Sequence, residues 1–182
     1  SRFMSEVDGS LECANGVLLR LPRLSDAGAM AKHANNREVW LNLRDRMPHP
    51  YSIEDARAFI ELIEDQDPRV QFSVDVNGEV VGGIGLVPGA DIERCSAEVG
   101  YWVGPEYWNR GIATAALERI CRYVFEELGF LRIFATPIAW NPASLRVLEK
   151  AGFEREGIMR NACVKDGRVT NMILYARVAP KP

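Results

Sequence analysis

One helical stripe limits what this chain can fold into. Ile112, Ala113, Ala116, Leu117, Ile120, Cys121, Val124, Phe125 and Leu128 recur at helical spacing over about five turns, a wide apolar face that has to be covered by other elements. β-rich runs flank it, Ser96 to Val103 before and Leu131 to Pro137 after. Strand, long helix, strand is a βαβ unit. Its strands run parallel, because a long crossover returns the chain to the same end of the sheet, and the crossover is right-handed. Glu118 and Arg122 stand four residues apart on the opposite face, a favourable pair turned to water.

The other strand signals are antiparallel. Gln71 to Val76 and Glu79 to Val87 are separated by Asn77-Gly78, a pair suited to a turn with positive φ at both positions. Gly82, Gly83 and Gly85 inside the second run predict a bulge or a close backbone approach. Lys165-Asp166-Gly167 joins two further runs, about Phe153 to Val164 and Arg168 to Val178. Near the start, Val17 to Leu21 reads as a strand, and Ser25 with Asp26 offers an N-cap to a helix through about Asn35. From Arg37 to Tyr51 periodicity fails and prolines punctuate a polar loop. Ser52 and Asp55 then form a capping box for a helix in which Ala56, Phe59, Ile60 and Ile63 share a face, ending before Pro68. The expectation is an α/β (α+β) domain over residues 4–182, with a mixed twisted sheet of about seven strands and flanking helices. Ser1, Arg2 and Phe3 precede Met4 and read as a cloning scar.

Composition removes several functions. A chain of 182 residues with 47% hydrophobic side chains buries a sizeable core without disulfides or metal. A formal charge of −3 disfavours a phosphate-backbone binder, so nucleic acid is not an expected partner. Cys13, Cys95, Cys121 and Cys163 show no metal-site or redox spacing and read as reduced packing thiols in a cytoplasmic protein. No apolar run reaches the ~20 residues of a membrane span, and no signal-peptide pattern opens the chain. His33 and His49, the two histidines, have no ligand spacing, and no metal is expected.

Chemistry concentrates where the long helix begins. In Tyr101-Trp102-Val103-Gly104-Pro105-Glu106-Tyr107-Trp108-Asn109-Arg110-Gly111-Ile112-Ala113-Thr114 a strand ends, a loop turns and the apolar helix starts. A helix N-terminus offers unpaired N–H groups and partial positive charge, which suits a phosphate or pyrophosphate, and Gly111 and Ala113 leave the backbone open to it. A packing glycine at a strand-to-helix junction explains the same residues equally well. Other nucleotide signatures are missing: Gly83 and Gly85 are followed by Pro88 and no helix, and neither a Gly-Lys-Ser/Thr P-loop nor a Gly-x-Ser-x-Gly nucleophile elbow occurs.

These residues resemble the GNAT N-acetyltransferases, in particular the RimJ/RimL-like branch that acetylates ribosomal-protein N-termini. Tyr107 to Thr114 looks like that branch's acetyl-CoA pyrophosphate loop, with Trp108 at a position where the superfamily has Gln or Arg. Asn141-Pro142-Ala143-Ser144 through Glu149-Lys150-Ala151-Gly152-Phe153 looks like its second hallmark, and Asn42 to Asp45 with Pro48 to Tyr51 is similar to its N-terminal region. The resemblance implies a splayed parallel pair with acetyl-CoA between the strands. Its pyrophosphate would lie on the N–H groups of Asn109, Arg110, Gly111, Ile112, Ala113 and Thr114, next to Trp108, and its pantetheine along Tyr101, Trp102 and Val103. It further implies a backbone N–H near Val103 as oxyanion donor, Asn141 as a CoA contact, and Ser144 as a group that hydrogen-bonds or protonates the departing thiolate. Glu156, or alternatively Glu98, is the expected general base, and Asn42, Arg44, Asp45 and Tyr51 are the expected acceptor contacts.

The residues themselves leave other readings open. Asn141 before Pro142 is a natural N-cap, and each glutamate is equally a salt-bridged strand carboxylate. The expected reaction is direct transfer from acetyl-CoA to a primary amine, best a protein or peptide N-terminus. An α-amine is roughly 15% neutral at pH 7 whereas lysine is below about 0.1%, so the former asks less of a weak base. An acetyltransferase of a small amine (antibiotic, polyamine or amino acid), or a non-catalytic acyl-CoA-binding module, are the alternatives; membrane is not an expected partner, and the chain is expected as a monomer or homodimer.

Overall fold

The computed structural model describes residues 9–181; the expected scar at Ser1, Arg2 and Phe3 lies outside them. Eight strands form one sheet: β1 (Leu11–Glu12), β2 (Val17–Arg20), β3 (Gln71–Val76), β4 (Glu79–Pro88), β5 (Ser96–Val103), β6 (Arg132–Ala135), β7 (Glu154–Lys165) and β8 (Arg168–Val178). Their order is β1-β2-β3-β4-β5-β6-β8-β7. The strand beyond the expected seven is β1, a two-residue edge piece too short to leave a periodic signal. All neighbours are antiparallel except β5 and β6, the pair the crossover argument requires.

Five helices complete the fold: α1 (Ala27–Ala34), α2 (Arg37–Trp40), α3 (Ile53–Ile63), α4 (Ile112–Glu126) and α5 (Pro142–Lys150). Helix α4 is the predicted stripe, and Ile112, Ala116, Leu117, Ile120, Cys121 and Val124 are buried with Leu19, Val74, Ala97, Val99 and Ile133 of the sheet in the main core. Burying the Ile, Leu and Val side chains among these contributes about 1.5 to 3 kcal/mol each. On the other face α1 and α3 enclose a second cluster around Met30, Ala56, Ile60 and Val80. No helix among the described residues is long and apolar enough to cross a membrane.

Local chemistry explains most boundaries. Asn77 and Gly78 take φ of 53° and 86°, and Asp166 and Gly167 take 52° and 71°, the left-handed pairs of tight hairpin turns. Ser52 and Asp55 form the predicted capping box at α3. Register shifts between Val74 and Asp75, and a Cβ on Gly82 would collide with the Trp102 carbonyl oxygen, so both the bulge and the close approach occur.

Two expectations are corrected. The stretch from Arg37 is not all loop: Asn36 Oδ1 accepts from the N–H groups of Glu38 (2.8 Å) and Val39 (3.4 Å) and starts the single turn of α2, too short for periodicity to reveal. Asp26 does not cap α1 with its side chain; its carboxylate instead accepts from Arg23 N–H and from both terminal nitrogens of the buried Arg20, whose Nε reaches Asp75 at 2.6 Å.

Strands β5 and β6 then part. They pair at Ser96↔Arg132, Ala97↔Ile133 and Glu98↔Phe134, while β5 continues to Val103. Beyond Ala135 the chain follows β8 instead, with Ile173 N–H donating to Pro137 O and Ala139 N–H to Asn171 O, both at 2.9 Å. The result is a wedge-shaped gap along the second half of β5.

Candidate active site at the splayed strands

The register along β5 decides which backbone groups face that gap. Gly89 N–H donates to Ser96 O and Gly104 N–H to Val81 O, both at 2.8 Å, so the even-numbered residues of β5 exchange bonds with β4. Tyr101 and Val103 therefore turn their N–H and C=O groups the other way, into the gap. The indole of Trp108 reaches Val103 O from outside at 2.7 Å, which is consistent with that direction.

At the wide end of the gap the chain turns through Pro105–Tyr107 into α4. Gly104 is packed so closely that a Cβ would lie 2.8 Å from that of His33. Asn109 and Gly111 adopt φ of 60° and 74°, and no side chain caps α4. Its first-turn N–H groups thus face outward under an exposed loop, Trp108 to Gly111, with the Arg110 guanidinium 5.0 Å from the Tyr107 ring centroid. The Asn15 amide nitrogen lies 2.9 Å from where a Gly111 Cβ would project, so a second donor group stands at the same mouth.

On the α4 side of the gap, Asn141 Oδ1 accepts from Ser144 N–H at 3.3 Å and caps α5, while Tyr101 Oη and Ser144 Oγ are 2.7 Å apart. Burial pushes the Tyr101 phenol up to about 12, against the opposing effect of the Ser144 hydrogen bond. Trp102, its neighbour, points to the opposite face and packs against the α1 and α3 cluster.

That opposite face carries both glutamates. Arg44 donates to Glu98 Oε1 at 2.6 Å, and Thr136 Oγ1 donates to the same oxygen at 3.3 Å, across the point where β5 and β6 separate. Glu156 is gripped by both terminal nitrogens of Arg132, at 3.0 Å for Nη1, and those hydrogen bonds hold its carboxyl below the usual carboxylate range. Asp45 accepts from Lys165 Nζ at 2.8 Å, which also lies 3.9 Å from the Trp40 ring centroid; with Arg37 and Asp166 paired at 2.6 Å, the β7-β8 turn is strapped to the 37–51 segment. Between them opens a cavity of about 370 Å³ lined by Glu38, Leu41, Asn42, Trp108, Trp140 and Arg168. Asn42 Oδ1 and Trp140 Nε1 are buried there without a hydrogen-bond partner, and the Arg168 guanidinium sits 4.3 Å from the Trp140 ring centroid. Tyr51 is elsewhere, 6% exposed in the α1 and α3 core.

Comparison with known proteins gives this arrangement a family. Residues 17–154 match the family model described as Acetyltransferase (GNAT) domain. The chain belongs to the GNAT acetyltransferases. Among relatives, it is 36% identical over 103 residues to the N-acetyltransferase YoaA of Bacillus subtilis, a stretch covering 57% of this chain and 58% of that protein. It is 29% identical over 167 residues to spermidine N(1)-acetyltransferase of Escherichia coli, covering 88% of this chain and 84% of that one. The structure of Mycobacterium smegmatis RimJ in complex with CoA-disulfide superposes with a TM-score of 0.81 at 26% identity, over 94% of this chain and 87% of that chain.

In this GNAT domain, then, Tyr101, Val103, Trp108, Asn109 to Thr114, Asn141 and Ser144 come together around one gap, and Glu98, Arg44 and Asn42 border its other side. Trp102 and Tyr51 pack into the second core cluster. Asn15, Thr136, Glu38 and Arg168 had not been singled out. Asn15-Gly16 carries a turn signal that could have drawn attention to Asn15; the other three depend on contacts remote in sequence.

Proposed function

We propose that this GNAT domain transfers the acetyl group of acetyl-CoA directly to the α-amine of a protein or peptide N-terminus. The observation that carries the reading is the gap itself, with outward backbone N–H groups along one wall, an uncapped helix start at its wide end and hydroxyl and carboxylate groups on opposite faces. Acetyl-CoA supplies an activated thioester. The α4 first turn, Asn109 to Thr114, and the Asn15 amide would hold its pyrophosphate. Tyr101 and Val103 would bond the pantetheine through their backbone, and Val103 N–H would stabilise charge on the thioester oxygen. A Cβ at Gly111 would fill part of this cradle, so the glycine fits a bulky anion as well as the local φ.

Glu98 is the better-supported base. Both of its contacts fall on Oε1, which leaves Oε2 to take the amine's proton directly or through one water. Glu156 is committed to Arg132 through both oxygens. Cys121 and Cys13 are poor nucleophiles, since burial pushes their thiols up to about 12 and about 11. Neither of these two thiols competes with direct attack by the amine. Four free cysteines also fit the reducing, cytoplasmic setting expected from the sequence.

The acceptor cavity supports a peptide over a polyamine. It has donors in Trp140 Nε1 and the Arg168 guanidinium, and acceptors in Asn42 Oδ1 and the Glu38 carboxylate. A peptide unit offers a carbonyl and an N–H to such a set, whereas a polyamine offers nothing for the two donors. A mass-resolved acetylation screen of N-terminal peptides, polyamines, amino acids and lysine side chains tests this. Acetyl on peptide α-amines is expected, and turnover confined to spermidine or another small amine would overturn the acceptor assignment.

A further inference from the structure

Tyr101 and Ser144 meet through their hydroxyls, either of which could donate. Tyr101 Oη lies 2.7 Å from Ser144 Oγ and 3.4 Å from Ser144 backbone O. A carbonyl oxygen only accepts, and a phenol is a better donor than an aliphatic hydroxyl, which favours the phenol as the donor to Ser144. Ser144 is itself held in place, because its N–H is used on Asn141 Oδ1 and Pro142 fixes the entry to α5. Its Oγ has no other hydrogen-bond partner among the described residues. With one lone pair taken by Tyr101, the Ser144 proton is free to point away from the phenol.

We propose that Tyr101 is a positioning residue that turns the Ser144 hydroxyl into a fixed hydrogen-bond donor for the departing CoA thiolate, and that neither residue gives up its proton to sulfur. This rests on the reading that acetyl-CoA occupies the gap. In the step concerned, the amine nitrogen bonds to the acetyl carbon, the C–S bond breaks with its electron pair leaving on sulfur, and the amine's proton goes to Glu98 or water. Sulfur leaves as an anion and is stabilised by O–H donation. Transfer of a proton along the pair would be uphill. The phenol lies at about 12, and a thiol near about 8.5 is the stronger acid by more than three pH units.

The contact therefore acts on a thiolate rather than on a thiol, and this gives a readout separate from turnover. The thiol of CoA bound to the protein is titrated by its ultraviolet thiolate absorbance in wild type, Tyr101→Phe, Ser144→Ala and the double variant. A charge-assisted hydrogen bond should lower the bound thiol's midpoint, and Ser144→Ala should raise it by about one to two pH units relative to wild type. Tyr101→Phe keeps the ring and its packing and should recover most of the same rise, and the double variant should equal Ser144→Ala alone. In turnover, both variants should lower kcat at least about tenfold with KM for acetyl-CoA within about threefold. A Tyr101→Phe titration identical to wild type, with Ser144→Ala shifted, removes Tyr101 from the arrangement; effects of the two variants that simply add do the same. An unshifted Ser144→Ala shows that its hydroxyl does not face sulfur. Absence of CoA and acetyl-CoA binding by the wild-type protein would instead overturn the reading of the gap, and melting temperatures of the variants separate either result from misfolding.

Discussion

Gly111→Glu is the sharpest test of where the pyrophosphate sits. Gly111 has φ of 74°, so any L-residue there costs about 1 to 2 kcal/mol. The steric part is small, because the added Cβ meets only the end of the exposed Asn15 side chain, at 2.9 Å. Charge decides the outcome. At an effective dielectric near about 20, a carboxylate about 4 Å from one phosphate charge is repelled by about 4 kcal/mol. That exceeds the 0.3 to about 2 kcal/mol by which a helix N-terminus attracts an anion. If rotation of the glutamate and ionic screening leave half of the repulsion, Kd still rises about thirtyfold.

Thermal shift reads this directly. With acetyl-CoA at about a hundred times the wild-type Kd, binding stabilises the wild-type fold by about 2.7 kcal/mol, which for a chain of this size is a Tm rise of about 5 to 11 °C. A thirtyfold weaker site retains about 0.9 kcal/mol, so Gly111→Glu should show a third of that rise or less. Gly111→Ala separates backbone strain from charge: its unliganded Tm falls, while most of the acetyl-CoA response remains. A Gly111→Glu protein with an undiminished response would mean that the anion does not lie at the start of α4.

Three further outcomes follow from named contacts. Glu98→Gln should lower kcat for a peptide α-amine by about a hundredfold while leaving acetyl-CoA binding intact, because it removes the proton acceptor beside the gap; equal loss in Glu156→Gln, measured on the same peptide, would move the base to the Arg132 pair. Arg20→Met strands Asp26 and Asp75, whose side chains are 11% and 9% exposed, and should cost about 3 to 5 kcal/mol in a urea titration at pH 7, with a loss below about 1 kcal/mol refuting the triad's importance. The pH dependence has a definite sign: burial raises the Asp26 carboxyl, but hydrogen bonds from Arg20 and Arg23 N–H outweigh it and hold it below its ordinary value. Its contribution is therefore present above about pH 3.9 and lost as pH falls through the folded-state value. Without Arg20 burial prevails, and the variant's deficit should shrink between pH 7 and pH 4.

The elements legible in the sequence are those settled by a few adjacent residues. Asn77-Gly78 needs only its own φ preferences to make a hairpin, Ser52 with Asp55 closes its own capping box, and Asn141 before Pro142 starts α5 whatever packs against it. The proposed cofactor half of the site is of this kind, because an anion cradle made from an uncapped helix start lies within one contiguous loop. The acceptor half is not. Arg44 meets Glu98 across 54 residues and Lys165 meets Asp45 across 120. Tyr51 sits beside Pro48, His49 and Pro50 in sequence but packs into the second core, where its ring is buried with residues of α1 and α3. Even the gap depends on such a choice: Pro137 follows just after β6, yet which strand then takes the chain is settled by Ile173 and Asn171 of β8. If the proposed site is right, a domain built in this way advertises its donor in short motifs and hides its acceptor in distant pairings. On the proposed reading, altering Glu38, Asn42, Trp140 and Arg168 should retune amine choice without disturbing the α4 cradle.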